Sequence, residues 1–173
     1  MKEFKTSILT TIKDQTTRSL WSLQNVIECI PQENWSKEYC EMPLWKHVYH
    51  TLHSLDQWYI NPSVYDEPAF HTTYLNSLDI KTDGFLSKKQ LINYNRDISV
   101  KILSYLASLK EEQLLQKPPK SNYTRLQLIL AQHRHLDMHI GMLMGFTIAD
   151  TGLWPRVMGI ANPLPQEDYD KYF

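Results

Sequence analysis

Apolar residues recur every three or four positions along four long stretches of this chain, which is the period of an amphipathic helix. The first stretch runs from about residue 2 to residue 30, where Pro31 would end a helix. The second stretch begins at Pro43, a residue suited to the first turn of a helix, and continues to Asn61 and Pro62. Each of these two stretches predicts one long helix.

Two further helices are predicted in the second half of the chain. Ser87 is suited to the N-cap of a third helix that ends near Leu109. A fourth helix is predicted from residue 123 or 124 to about residue 149, and Gly152 follows it in a place typical of a C-cap.

Irregular segments join and follow these helices. Residues 61–86 contain proline, aspartate and glycine and predict a long connection between the second and third helices. Residues 151–173 carry several prolines and predict an irregular tail, which could fold over the open end of the bundle or over a partner subunit. We therefore predict a single all-α domain over residues 1–173. It is a four-helix bundle of the up-down type, with its core in residues 2–150.

The composition of the chain indicates which kinds of partner it is expected to bind. The 18 Lys and Arg residues nearly cancel the 19 Asp and Glu residues, so no basic field favours nucleic acid or an anionic membrane. The two cysteines, Cys29 and Cys40, have no CxxC spacing and indicate a reducing compartment. No signal peptide or long apolar run is present. We expect a cytoplasmic protein that acts on a small molecule.

Six of the seven histidines fall in two short windows, residues 47–53 and 133–139. In the second window, His135 and His139 are four residues apart and lie roughly 40° from each other on the apolar face of the fourth helix. Two imidazoles at this spacing can hold one metal ion, and a metal would compensate their burial. His133 and Asp137 point away from that face and are predicted to be exposed.

The first window offers three histidines on the second predicted helix as a further ligand. The centre of the apolar arc of that helix lies nearer to His47 than to His50, and His53 lies at its far edge. Periodicity alone therefore favours His47.

The two windows resemble motifs of the DinB/YfiT-like metalloproteins of the DinB superfamily. In that family a four-helix bundle holds a metal on one histidine of the second helix and a pair from the fourth. The matching residues here are Trp45, His50, Leu52, Asp56, Trp58, His135, His139 and Gly141. Met142 departs from the pattern, because the family often has glutamine there.

The resemblance implies the ligand set His50, His135 and His139. Three nitrogen ligands accept several divalent ions, of which we expect Zn or Ni. His47 becomes a packed residue behind the ligand, while His53 is left as a packed or surface residue. The resemblance also implies a homodimer and a metal-dependent enzyme. Family members include transferases and isomerases that use low-molecular-weight thiols such as bacillithiol or mycothiol.

Several functions stay open from the residues themselves. Three nitrogen ligands leave a coordination position for water or substrate, which suits either thiol transfer or hydrolysis by a metal-bound hydroxide. The alternatives are a non-catalytic metal-binding or stress-related bundle, and a metal-free helical interaction protein. HExxH, ExxH, GxSxG and P-loop motifs do not occur.

Four other residues receive specific predictions. His71, in the long connection near Asp66 and Glu67, is predicted to be an ordinary loop residue, although it could reach the site as a fourth ligand or proton carrier. Asp56 is assigned a capping or interhelix role. Gly141 and Gly145 form a GxxxG pattern, which predicts close helix packing.

Overall fold

A computed structural model describes residues 7–173 and confirms the all-α four-helix bundle. The predicted start of the first helix near Lys2 lies outside the described residues. The helices are α1 (Ile8–Cys29), α2 (Leu44–Trp58), α3 (Lys88–Ser108) and α4 (Arg125–Thr151).

The helix boundaries follow from capping residues in the sequence. The side chains of Ser7, Ser87 and Thr124 each accept a hydrogen bond from a backbone amide in the first turn of α1, α3 and α4. Gly152 ends α4 with φ 72°, a left-handed conformation that costs glycine little. The predicted ends of the third and fourth helices are therefore met within two residues.

Short elements between the helices were not predicted. They are a two-residue hairpin, β1 (Glu38–Tyr39) and β2 (Met42–Pro43), and 3-10 turns at Gln32–Asn34, Pro62–Val64 and Glu111–Gln113. Strands of two residues are too short to produce a periodic signal.

The helices form a ring in which α1 and α2 each pack against both α3 and α4. Phe85, just before α3, contacts Trp45 at the start of α2, and Tyr94 further along α3 bonds to Asp56 near the end of α2. The two helices therefore run in the same direction, rather than in the alternating directions of the predicted up-down bundle, because the connection between them is long enough to cross the length of the bundle. The long connection returns the chain along the bundle from the end of α2 to the level of its beginning.

Buried aliphatic and aromatic side chains from all four helices fill the centre of the bundle, and those with no exposed surface include Leu23, Val26, Val48, Tyr49, Leu52, Leu91, Leu106 and Leu143. Close packing of these side chains holds the helices in register.

The C-terminal tail lies along the flank of α1. Arg18 Nη1 donates to the carbonyls of Gly159 and Asn162, both at 2.9 Å, and Trp21 Nε1 donates to the carbonyl of Gln166 at 2.8 Å. The tail is therefore irregular, as predicted, but these contacts place it beside α1 rather than over the open end of the bundle.

The GxxxG prediction on α4 is wrong. Gly141 and Gly145 are exposed, and a Cβ atom built on either would meet nothing within 4 Å. The packed faces of α4 are those toward α1 and α2, and the two glycines point elsewhere.

Within residues 7–173, no helix has the length and apolar character needed to cross a membrane.

Candidate metal site

His135 and His139 of α4 direct one nitrogen each toward the same point. Their Nε2 atoms lie 3.1 Å apart. Ligands at about 2.0–2.1 Å from a tetrahedral Zn²⁺ stand roughly 3.3 Å from one another, so this separation suits two ligands of one ion. His139 is buried and His135 half-buried, because α4 turns this face toward α2.

His50 of α2 completes the group from across the interface between the two helices. Its ring centroid lies 4.9 Å from that of His139 and 5.6 Å from that of His135. One ligand nitrogen from each of the three residues lies within 4.8 Å of the other two. The structure therefore brings together the three histidines that the family resemblance selected.

A backbone carbonyl in the long connection orients the His50 ring. The Nδ1–H group of His50 donates to the carbonyl oxygen of Asn76 at 2.8 Å. With its proton on Nδ1, the imidazole keeps the Nε2 lone pair free for a cation. Histidine ligands of metals commonly have such a partner on the other ring nitrogen, because it sets the tautomer and the ring angle.

The site favours neutral imidazole rings over the charged imidazolium form. Burial and the neighbouring histidines His135, His50 and His47 lower the pKa of His139 to about 3. Burial, and then His50, also lower the pKa of His135. Both rings are therefore neutral at pH 7, which is the form that binds metals.

The donor set fits a divalent transition metal. The group contains three imidazoles and no carboxylate, and imidazole suits Zn²⁺, Ni²⁺, Cu²⁺ and Fe²⁺ better than Mg²⁺ or Ca²⁺. Three neutral ligands leave both positive charges of such an ion uncompensated and at least one position open. Among the described residues, the buried Nδ1 atom of His139 has no hydrogen-bond partner.

His47 lies outside this group, although periodicity favoured it as the ligand of α2. Its Nε2 atom is 2.8 Å from the carbonyl oxygen of Tyr39 in β1, and its ring contacts Phe146 edge to face. His47 is 2% exposed, whereas His50 is half-buried at the boundary between α2 and α4. The most buried face of α2, which carries His47, points into the core of the bundle. The three-histidine group lies at the edge of that face, where His50 is.

The prediction that His133 is exposed is wrong. Its ring is half-buried, and its Nε2 atom lies 2.9 Å from Thr16 Oγ1, whose other neighbour is the Tyr59 hydroxyl at 2.7 Å. Burial lowers the pKa of His133. The reason is that α4 packs against α1 as well as α2, so a second face of this helix is covered. Asp137 is exposed, as predicted.

A second group of ligand-type side chains forms around His53. His53 Nε2 lies 2.7 Å from Glu67 Oε2, and His71 Nδ1 lies 3.8 Å from the same oxygen. The two imidazoles stack, with centroids 4.9 Å apart. His53 is therefore packed rather than on the surface, and His71 joins His53 and Glu67 rather than the three-histidine group.

Two residues of this region, Asn76 and Glu67, were not predicted from the sequence to contact the histidines. Asn76 contacts both histidine groups, since its backbone carbonyl accepts from His50 and its side-chain nitrogen lies 3.1 Å from His53 Nδ1. Glu67 lies near His71 in the sequence, but no ligand role was predicted for it. The spacing of Glu67 and His71, four residues apart, is the one signal in the sequence that pointed to their meeting.

Asp56 has the predicted interhelix role. Its carboxylate accepts from the Tyr94 hydroxyl at 2.9 Å and from Lys101 Nζ at 2.6 Å, both on α3. Asp56 therefore ties α2 to α3.

No family model, curated protein or solved structure matches this chain. The resemblance to the DinB/YfiT-like metalloproteins thus rests on the motifs quoted above and on the bundle that carries them.

Proposed function

We propose that this chain is a DinB-like metalloprotein that binds one divalent cation, Zn²⁺ or Ni²⁺, through His50, His135 and His139. The observation that carries the proposal is that three imidazoles from two helices, two of them with lowered pKa, bring a nitrogen each to within 4.8 Å of the others.

The three ligand side chains are preorganised for an ion by contacts within the chain. The Asn76 carbonyl holds the His50 ring in one tautomer, and α4 holds His135 and His139 one turn apart. Burial keeps the His139 ring neutral at pH 7, with one ring nitrogen available to a metal. Little reorganisation is therefore required on binding, which raises affinity.

We further propose an enzymatic role, as a low-molecular-weight-thiol transferase or a hydrolase. A divalent cation bound here would lower the pKa of a thiol or water and so supply a nucleophile at neutral pH. The three neutral ligands leave charge on the ion that either a thiolate or a hydroxide would balance, so the donor set is compatible with both reactions.

Metal content and Co²⁺ titration of the purified chain test the binding proposal. We expect His50→Ala and His135→Ala each to release one tightly bound ion per chain. The matched control is His133→Gln, which changes a half-buried histidine of α4 that lies outside the group. Unchanged metal content in His50→Ala and His135→Ala would overturn the assignment.

Thiol binding can be tested separately on the Co²⁺-loaded protein. Glutathione or bacillithiol should produce a thiolate-to-cobalt charge-transfer absorption, and an electrophilic co-substrate should then be turned over. Activity on ester or amide substrates with no thiol response would instead support the hydrolase. Metal binding without either response would contradict the enzymatic proposal and leave a non-catalytic metal-binding bundle.

A further inference from the structure

A second ligand cluster lies beside the first, where the long connection crosses α2. His53 comes from α2, and Glu67 and His71 come from the connection. One ligand atom from each lies within 4.8 Å of the other two. We propose that these three residues form a second divalent-cation site, distinct from the three-histidine group.

The charges in the cluster favour a cation. Burial is the main cause that lowers the pKa of His53, although the Glu67 carboxylate opposes that shift. The lowered pKa favours the neutral form of His53, which does not balance the charge of the Glu67 carboxylate. The nearby ammonium of Lys101 is bound to Asp56 at 2.6 Å and lies 5.5 Å from the Tyr65 ring centroid. A metal ion would supply the missing charge.

The backbone and aromatic packing hold Glu67 and His71 against α2. The His71 amide donates to the carbonyl of Pro68 at 2.7 Å, which closes a turn between the two residues. The Tyr49 hydroxyl lies 2.8 Å from His71 Nδ1, and Phe70 packs on the Tyr49 ring. This turn sets both side chains on the side of the connection that meets His53.

The cluster combines a fixed inner part with an accessible outer part. The His53 side chain is 3% exposed and the His71 side chain 15%, whereas the Glu67 side chain is 46% exposed. An ion could therefore reach the site from the Glu67 side and keep water on its remaining positions. The spacings of 2.7 and 3.8 Å to Glu67 Oε2 become ligand spacings with a small movement of this exposed carboxylate, and the Tyr49 hydroxyl would have to leave the lone pair of His71 Nδ1 to the ion.

Asn76 can adapt to either state of His53. Its side-chain nitrogen now lies 3.1 Å from His53 Nδ1, so His53 Nε2 carries the proton that Glu67 accepts. Rotation of the amide by half a turn would present Oδ1 instead, and His53 Nδ1 would then donate to it. That tautomer frees the Nε2 lone pair for a cation.

The donor set defines the class of ion. Two imidazoles and one carboxylate bind first-row divalent metals such as Zn²⁺, Co²⁺ and Fe²⁺, with open positions for water. Mg²⁺ and Ca²⁺ prefer oxygen ligands and are poor candidates. With one anionic ligand, this site would carry a net charge one unit lower than the three-histidine site.

The test uses the full chain carrying His135→Ala and His139→Ala, which removes the first group. Titration with Co²⁺ and Zn²⁺ should still show one bound ion per chain. Adding Glu67→Gln should weaken this binding at least about tenfold, since the charged ligand is lost. Glu67 is exposed, so the change should leave the fold intact, which circular dichroism would verify.

The control and the wild-type background separate the two sites. Asp66→Asn removes the exposed acid next to Glu67 and should leave Co²⁺ binding unchanged. In the wild-type chain, Glu67→Gln should reduce two bound ions to one. If the three-histidine group does not bind a metal, the wild-type chain should bind one ion, and Glu67→Gln should abolish that binding. No metal on the double alanine variant, or binding indifferent to Glu67→Gln, would reduce the cluster to a hydrogen-bonded group and overturn the proposal.

Discussion

The carbonyl oxygen of Asn76 accepts a hydrogen bond from His50 Nδ1 at 2.8 Å. An irregular segment therefore orients a histidine that belongs to a regular helix. Leu75, immediately before Asn76, is 2% exposed and anchors the segment in the core. The orientation of His50 thus depends on packing outside the metal group.

Leu75→Ala should weaken metal binding without touching a ligand. We expect a loss of about 2–5 kcal/mol in the free energy of unfolding, as for other buried leucines. Because Asn76 would no longer be held in place, Zn²⁺ affinity should fall about 10–100-fold. Leu86→Ala, at another buried leucine of the connection, should destabilise similarly but keep the affinity. Equal affinities in both variants would contradict the orienting role.

His47 and His50 should separate stability from metal binding. His47→Ala removes a buried ring that is paired with the Tyr39 carbonyl, and should lower the free energy of unfolding by about 1–3 kcal/mol while the ion stays bound. His50→Ala should release the ion from the three-histidine group and change the stability of the metal-free protein less. Urea unfolding in EDTA, together with metal content, would reveal the reverse pattern if His47 were the ligand.

The metal-free protein should lose stability in acid. The pKa of His139 is about 3 in the folded chain, against an ordinary value of 6.5. Between these values the unfolded chain binds more protons, so the free energy of unfolding falls as pH drops from about 6.5 toward 3. The slope is up to about 1.4 kcal/mol per pH unit for this group. Urea unfolding in EDTA at pH 7, 6 and 5 should show a shallower slope in His139→Gln, and an unaltered slope would contradict the burial effect.

The Asp56 contacts should contribute unequally to stability. Tyr94→Phe removes a buried hydroxyl that donates to Asp56, and should cost about 1–2 kcal/mol in the free energy of unfolding. Lys101→Ala removes a half-exposed ammonium and should cost about 1 kcal/mol or less. Urea denaturation of both variants measures the difference. A larger loss in Lys101→Ala would show that charge, rather than the buried hydroxyl, links the two helices.

The tail should be separable from the metal group. Arg18→Ala removes the donor to the carbonyls of Gly159 and Asn162, and should increase proteolytic cleavage of the tail. Metal content should not change, because these tail contacts lie on α1 and the ligands are on α2 and α4. Loss of the ion in this variant would show that the tail supports the site.

The four helices and the histidine pair on α4 could be predicted from the amino-acid sequence. The hydrophobic period and the capping residues Ser87, Thr124 and Gly152 are local signals, and local signals survive in any tertiary arrangement. His135 and His139 could be paired for the same reason, since a rigid helix fixes residues four apart on one face.

Which residues approach these helices from other parts of the chain depends on the tertiary packing. His50 rather than His47 joins His135 and His139, because the ring of helices puts the boundary between α2 and α4 at the edge of the apolar arc of α2. Glu67, His71 and Asn76 come from a connection without periodicity, and its path depends on how anchors within it, such as Leu75, are buried in the core of the bundle. Helical phase specifies direction around one helix, and it carries no information about which neighbour lies there.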